Sequence, residues 1–177
     1  MNRAVSVAES TPSPSHRYPI VRSGGLFLVL VGAGLLGGIA FSGAALVDYR
    51  VFFGGVTLAV LSLSFAGPLS FGSPSRLQIA ALVFALILEG GLFAVMGRFL
   101  PPGTEEHVRW LWVSIIVGAH FIPMAVCFGP PILVLGVACI ANAVMGLMLP
   151  EVPYEVFGVV DGVLKVGIGA WMFSTKR

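Results

Sequence analysis

The sequence predicts an all-α integral membrane protein, a polytopic bundle of transmembrane helices. Apolar residues make up 57% of the 177-residue chain and charged residues only 10%, whereas soluble domains carry roughly 25% charged residues. The apolar residues form continuous runs of the length that a helix needs to cross a bilayer, about 20 residues. A transmembrane β-barrel would instead alternate apolar and polar residues. We therefore expect one membrane domain without a sizeable soluble part.

Polar and proline-containing stretches divide the chain into six apolar segments. The predicted spans are residues 24–47, 51–69, 77–97, 110–128, 132–149 and 156–173. Residues 1–22 are rich in serine and proline and are predicted to form a flexible cytoplasmic tail, with the six-helix transmembrane domain at 23–177. The first apolar run exceeds the hydrophobic region of a signal peptide, about 7–15 residues, so we expect it to remain as a span.

Lysine and arginine predict the orientation of the chain. With six spans both termini lie on one side of the membrane, and that side holds six basic residues: Arg3, Arg17, Arg22, Arg76, Lys176 and Arg177. The other side holds three: Arg50, Arg98 and Arg109. By the positive-inside rule, we expect a multi-pass protein of the cell membrane with both termini in the cytoplasm.

Four of the predicted spans carry polar residues far from their ends. These residues are Glu89, His120, Asn142, Asp161 and Lys165. At the rise of an α-helix they lie about 12–18 Å from the predicted cytoplasmic ends of their spans. All five therefore fall near the middle of a hydrocarbon core about 30 Å thick, and we predict a polar centre inside the bundle.

Each of these polar residues has a structural interpretation beside a functional one. Asp161 and Lys165 are four residues apart, on one helix face, and form either a simple ion pair or part of a working site. Glu89 has no partner in its own span, and an ionisable group at this depth needs a partner or a proton. His120 is either a hydrogen-bonded core residue or a proton relay. Asn142 is expected to join two helices by a hydrogen bond.

Spans 3 and 6 share a short pattern of an acid, a glycine, any residue and a leucine. The pattern reads EGGL at residues 89–92 and DGVL at residues 161–164. Each unit belongs to the third span of a group of three, which suggests a 3+3 inverted repeat of the kind found in several transporter folds. Chance similarity in a chain rich in glycine and leucine is the alternative.

Two pairs of glycines have the spacing that lets membrane helices approach closely. They are Gly34 with Gly38, and Gly158 with Gly162. They fit tight packing within one chain, and they also fit the contact of a homo-oligomer.

Several classes of function are disfavoured by composition and motifs. A net charge of +2 is too small to indicate nucleic acid as a partner. No cofactor motif, nucleotide-binding loop or hydrolase signature is present. Glu89, His120, Cys139 and Asp161 lack the spacing of a metal site, so we expect neither a cofactor nor a metal. The two cysteines, Cys127 and Cys139, lie in spans and form no disulfide framework.

The stretch GAHFIP at residues 118–123 is similar to small uncharacterised bacterial membrane proteins with six helices. The resemblance covers one helix. It implies a six-helix membrane fold and no activity, so no residue role follows from it.

Two hypotheses about function depend on the polar centre. In the first, the protein is a small secondary transporter or channel for an ion or small solute. Glu89 and Asp161 would be proton- or cation-linked carboxylates, Lys165 their counter-charge and His120 a relay, so a cavity should reach them. In the second, the protein is a non-catalytic membrane subunit, or a stress-related or assembly protein, whose polar residues hold a sealed bundle together.

A third hypothesis is an enzyme acting on lipid or isoprenoid substrates at the membrane surface. Its candidate residues lie in the polar loop 98–109: Glu105, Glu106, His107 and Arg109. A solvated loop without a catalytic role is the simpler interpretation. The lipid bilayer is the one partner that all three hypotheses share.

Overall fold

The structure is a computed structural model that describes residues 18–43, 45–65, 69–70 and 72–175. Within these residues the chain forms α-helices and one short 3-10 turn, and no strand. The helices are α1 (Val21–Ala40), α2 (Tyr49–Ser62), α3 (Arg76–Phe99), α4 (Glu106–Phe128), α5 (Pro130–Met148) and α6 (Tyr154–Phe173). All except α2 are long and apolar enough to cross a membrane. The chain is therefore an all-α, multi-pass membrane protein.

Helix α1 is displaced from its predicted span, residues 24–47. It begins at Val21, inside the predicted tail, and ends at Ala40; residues 1–17 of that tail lie outside the described residues. The chain then turns back, and the Asp48 amide donates to the Gly38 carbonyl at 2.7 Å. Val47 is completely buried by this turn. Leu46 and Val47 thus belong to a turn that packs on the bundle.

Helix α2 is shorter than the predicted span 51–69. The Asp48 side chain accepts hydrogen bonds from two amides of its first turn, a cap that favours a helix starting at Tyr49. The 14 residues of α2 measure about 21 Å, and the 3-10 turn Leu63–Phe65 extends it by about 6 Å. A full crossing of a core about 30 Å thick by this segment stays a prediction.

The other helices follow their predicted spans more closely. Helices α3, α5 and α6 begin and end within two residues of the predicted limits 77–97, 132–149 and 156–173. Helix α4 begins at Glu106 rather than at residue 110, so much of the predicted loop 98–109 is helical. An acidic residue in the first turn favours a helix start because it complements the helix dipole.

The core of the bundle is built on close contacts between α1 and α6. A Cβ atom at Gly25 would lie 2.6 Å from the Gly169 carbonyl oxygen, and one at Gly32 would lie 2.8 Å from that of Gly162. Only glycine permits such backbone contact, because any side chain would separate the helices. These contacts bring α6 directly against α1.

The remaining helices add to this pair in a defined order. Helix α2 packs on α1, α5 packs on both α4 and α6, and α3 packs mainly on α4. Of the five helices that are long enough to cross a membrane, α3 is the least buried, with 6% of its most apolar 18 residues buried, and Ala59 is the one buried residue of α2. Helices α2 and α3 therefore stand on either side of a gap.

Both predicted glycine pairs lie at contacts within the chain. Gly34 meets Gly55 of α2, and Gly38 meets Val47 and Asp48 of the turn. Gly158 and Gly162 meet side chains of α1. Tight packing within one chain accounts for all four glycines.

Candidate functional site

The Asp161–Lys165 pair lies in the centre of the bundle. The Lys165 Nζ atom is 2.5 Å from Asp161 Oδ2, and both residues are buried. Ser114 of α4 donates to the same carboxylate at 3.5 Å, and Nζ also lies 3.9 Å from the Cys139 sulfur of α5. The pair on α6 thus contacts side chains of both α4 and α5. Asp161 Oδ1 is buried and has no hydrogen-bond partner among the described residues.

A second pair joins α3 to α4. His120 Nδ1 lies 3.7 Å from Glu89 Oε1, which is beyond hydrogen-bonding distance. The Glu89 side chain is 25% exposed and that of His120 is 11% exposed. The His120 Nδ1 atom has no hydrogen-bond partner among the described residues. One water or a small movement of α3 would connect the two groups.

Asn142 serves a different contact from the ionisable residues. Its Nδ2 atom donates to the Phe157 carbonyl at 2.8 Å, and the side chain is buried. The bond joins α5 to α6 one turn before Asp161. This is the interhelical hydrogen bond that the sequence predicted.

A cavity of ≈ 1240 Å³ occupies the gap between α2 and α3. One face of α3 contributes Leu82, Leu86, Glu89 and Phe93, residues with helical spacing that point to the same side. His120 of α4 and Lys165 of α6 complete the polar part of the lining at mid-length. Three of the five predicted polar residues therefore share one cavity, whereas Asp161 and Asn142 lie behind it.

The cavity is partly open and its walls are mainly apolar. Side chains of α1, including Phe27 and Leu28, face those of α4, including Val117 and Phe121. Polar side chains return at one end, which is lined by Tyr49, Thr104, Glu106 and Arg109. We call this the Tyr49 end of the cavity. An apolar space with few polar groups is typical of sites for small molecules.

A hydrogen bond ties α2 to α4 at the Tyr49 end. The Tyr49 hydroxyl donates to Glu106 Oε1 at 2.6 Å, and the Tyr49 ring lies 5.7 Å from the ring of Trp110. The hydrogen bond to Glu106 raises the pKa of Tyr49, and burial and the negative charge of Glu106 raise it further. Close by, His107 Nδ1 is 3.2 Å from Glu105 Oε2.

The sequence analysis did not include Ser114 in the polar centre, and it considered Cys139 as a core residue or a metal ligand rather than as a neighbour of the Asp161–Lys165 pair. Both are small and occur on apolar helices, where such residues usually serve packing. Their contacts with the Asp161–Lys165 pair depend on how α4 and α5 are rotated, which a single sequence does not reveal. Among the described residues no group of three His, Cys, Asp or Glu side chains is placed to hold a metal ion.

The chain belongs to a family of unknown function, DUF6609, whose model matches residues 12–177. No curated protein and no solved structure matches the chain. The family match agrees with the resemblance to uncharacterised proteins. The family description assigns neither an activity nor a membrane location to its members.

Proposed function

We propose that this member of a family without an assigned activity is a small secondary transporter for an ion or small solute in the cell membrane. The observation that carries the proposal is that one cavity reaches Glu89, His120 and Lys165 at mid-length. Transporters of this kind bind substrate and coupling ions near the bilayer midplane. Ionisable side chains that face a cavity at that depth mark ion or proton pathways.

The residues of the polar centre have distinct roles in this proposal. Glu89 is the proton- or cation-linked carboxylate, since its side chain is partly exposed and the nearest basic group, on His120, stands 3.7 Å away. His120 relays the proton, because its Nδ1 atom lies 3.7 Å from Glu89 Oε1 and an imidazole ring can accept and release a proton. Lys165 supplies a fixed positive charge at the cavity, and the Asp161 carboxylate, 2.5 Å away, is the negative charge that pairs with it.

The mainly apolar lining of the cavity favours a transporter over an open ion channel. An ion in a continuous pore needs water or polar groups along its whole path. Here polar side chains occur at mid-length, at the Tyr49 end and at Ser23 of α1, with apolar residues between them.

An inverted 3+3 arrangement is part of the proposal, and the order of packing supports it. The contact between α1 and α2 corresponds to the contact between α4 and α5. In the same way, the contact between α1 and α6 corresponds to the contact between α4 and α3. Glycines meet in both halves, Gly34 with Gly55 and Gly118 with Gly136. In such a repeat the contact between α5 and α6 would have its counterpart between α2 and α3. The cavity lies at that position. Closure of that gap is the movement we expect for alternating access.

The arrangement also bears on the orientation of the chain. Helix α2 runs back along α1, and its 3-10 extension still contacts α1, which supports a sixth crossing. Six crossings place both termini on one side of the membrane, and the excess of basic residues there favours the cytoplasm.

A second candidate function is a non-catalytic subunit, or a stress-related or assembly protein. The exposed surface of α3, with 6% of its spanning window buried, favours it, since a partner chain would cover that surface. This alternative predicts a sealed bundle, however, and the cavity between α2 and α3 fits transport better.

The test is proton flux into proteoliposomes under an imposed pH gradient. Wild type is compared with Glu89→Gln, Asp161→Asn and Lys165→Met, each checked for folding by size-exclusion chromatography. Glu151→Gln, in an exposed loop outside the cavity, is the matched control. We expect flux in wild type and in the control, and loss of flux in folded Glu89→Gln.

The other results of this experiment separate the alternatives. Flux that is equal in wild type and in every variant would reject the carboxylate mechanism. If vesicles that contain wild type take up protons no faster than empty vesicles, uncoupled proton transport is excluded. The transporter function would then require that addition of a co-substrate produces proton flux. Vesicles that stay tight with every co-substrate tested would favour the subunit hypothesis.

A further inference from the structure

We propose that the cavity between α2 and α3 takes a lipophilic cation, an organic ammonium or phosphonium ion with an apolar body, in exchange for a proton on Glu89. The inference rests on the proposed function and names the substrate class of the same site. Three features of the cavity carry it: its unbalanced charge, its aromatic walls and its opening.

The first feature is the charge that the cavity leaves unbalanced. Its charged lining residues are Glu89, Glu106, Arg109 and Lys165. Glu106 and Arg109 have opposite charges and share the Tyr49 end, and Lys165 is neutralised by Asp161 at 2.5 Å. The carboxylate of Glu89 is therefore the charge without a counter-ion, which favours a cation as the ligand.

An organic anion would meet the opposite situation. The Lys165 ammonium group is buried and already engaged by Asp161. An anion would have to displace that carboxylate and leave Asp161 buried without its partner, which is costly in the interior of a protein. The geometry therefore discriminates against anions of the same size.

The second feature is the aromatic character of the walls. Eight phenylalanine, tyrosine and tryptophan rings line the cavity, among them Phe27, Phe93 and Phe121 near mid-length. Phe93 lies one turn from Glu89 on the same face of α3. Aromatic faces attract organic cations through the ring quadrupole and also bury apolar groups, which is how quaternary ammonium ligands are recognised.

The third feature is the access and size of the cavity. Helices α2 and α3 pack on α1 and α4 rather than on each other, so the cavity is partly open along the gap between them. Its ≈ 1240 Å³ is ample for a drug-sized molecule, since such pockets measure about 300–1,000 Å³. A solute that partitions into the bilayer can enter this gap from the apolar side.

The exchange conserves charge at the site. With Glu89 protonated the cavity carries no net charge, and binding of the cation releases that proton to the aqueous phase. The groups that face Glu89 are His120 on α4, 3.7 Å away, and Lys165 at the base of the cavity, with Asp161 behind it. Neutral His120 accepts the departing proton transiently, while the Asp161–Lys165 pair keeps its charges.

The experiment uses two probes of the same shape and opposite charge, tetraphenylphosphonium and tetraphenylborate. Binding to purified protein in detergent is measured by isothermal titration calorimetry in two buffers of different ionisation enthalpy, which counts the protons released. We expect saturable binding of the cation with about one proton released, and affinity falling about tenfold per pH unit below the pKa of Glu89. Tetraphenylborate should show no saturable binding.

Variants test whether the carboxylate is responsible. Folded Glu89→Gln should bind the cation roughly 30-fold or more weakly and release no proton, whereas the control Glu151→Gln should match wild type. Equal binding of both probes, tighter binding of the anion, or no saturable binding of either would overturn the proposal. If Glu89→Gln does not fold, the pH dependence in wild type decides, and an affinity for the cation that does not fall as the pH is lowered overturns the proposal.

The proposal and the transporter function fail in different ways. Proton flux in proteoliposomes without cation binding would reject the lipophilic cation and leave the transporter. Cation binding with proton release, but without uptake of the cation into vesicles, would identify a binding site and reject transport.

Discussion

The Lys165 ammonium nitrogen lies 2.5 Å from Oδ2 of Asp161, one turn earlier on the same helix. Ser114 of α4 and Cys139 of α5 complete the surroundings of the pair. Lys165 also lines the cavity, whereas Asp161 lies behind it. The positive charge at the base of the cavity is therefore balanced from within the bundle, and Glu89 on the opposite wall is not balanced in this way.

Removing one charge of the Asp161–Lys165 pair should destabilise the fold more than removing both charges. Lys165→Met leaves a buried carboxylate without a partner, at a cost of about 3 kcal/mol or more. The double variant Asp161→Asn with Lys165→Met should recover most of that loss. Thermal unfolding in detergent, followed by tryptophan fluorescence, measures each variant. Losses that simply add in the double variant would show that the two charges do not interact.

The sequence was sufficient for the features of the polar centre that depend on one helix. The Asp161–Lys165 contact follows from a spacing of four residues. The common depth of the five polar residues in the membrane stays a prediction from the helical rise. The division into two clusters was not predictable, because it depends on how each helix is rotated. Glu89 meets His120 only because α3 packs mainly on α4.

The limits of the first two helices also depended on tertiary structure. Residues after Ala40 are as apolar as a span, and hydropathy alone extends the helix through Val47. In the fold Val47 is completely buried in a turn, and Asp48 caps α2. A capping aspartate before Tyr49 is a local signal that the prediction did not use.

Asn142 should contribute to stability and not to transport. Asn142→Leu removes the hydrogen bond from Nδ2 to the Phe157 carbonyl, 2.8 Å long, and should cost about 1 kcal/mol. We expect a lower unfolding temperature in detergent and unchanged proton flux per folded molecule in proteoliposomes. Lost flux at unchanged stability would instead place Asn142 in the transport pathway.

Two glycines on α6 should respond to alanine in opposite directions. A Cβ atom at Gly169 would lie 2.7 Å from the Gly25 carbonyl oxygen and 2.9 Å from the Val29 nitrogen, whereas one at Gly167 meets nothing within 4 Å. Gly169→Ala should therefore separate α6 from α1 and lower the unfolding temperature. Gly167→Ala, the matched control, should raise stability by up to about 1 kcal/mol through helix propensity. Equal effects of the two variants would contradict the close contact between α1 and α6.

The hydrogen bond at the Tyr49 end should be visible in an alkaline titration. Because the Tyr49 hydroxyl donates a hydrogen bond to Glu106 Oε1, with the two oxygens 2.6 Å apart, the pKa of Tyr49 is raised above its ordinary value, about 10. The difference in tyrosinate absorbance between wild type and Tyr49→Phe isolates this residue from the other two tyrosines. Its midpoint should lie above that of free tyrosine, and Glu106→Gln should lower it.

The same interaction should make the stability of the protein depend on alkaline pH. A pKa that is higher in the folded than in the unfolded state means that Tyr49 stabilises the fold fully below about pH 10 and loses this contribution as pH rises through the folded value. Tyr49→Phe should therefore unfold at a lower temperature than wild type at about pH 8, and the difference should vanish above the folded pKa. Glu151→Gln, whose carboxyl lies in an exposed loop, should follow wild type throughout. The difference in unfolding temperature between wild type and Tyr49→Phe could instead be constant across the whole pH range. The Tyr49 hydroxyl would then stabilise the contact between α2 and α4 through packing, and not through its hydrogen bond to Glu106.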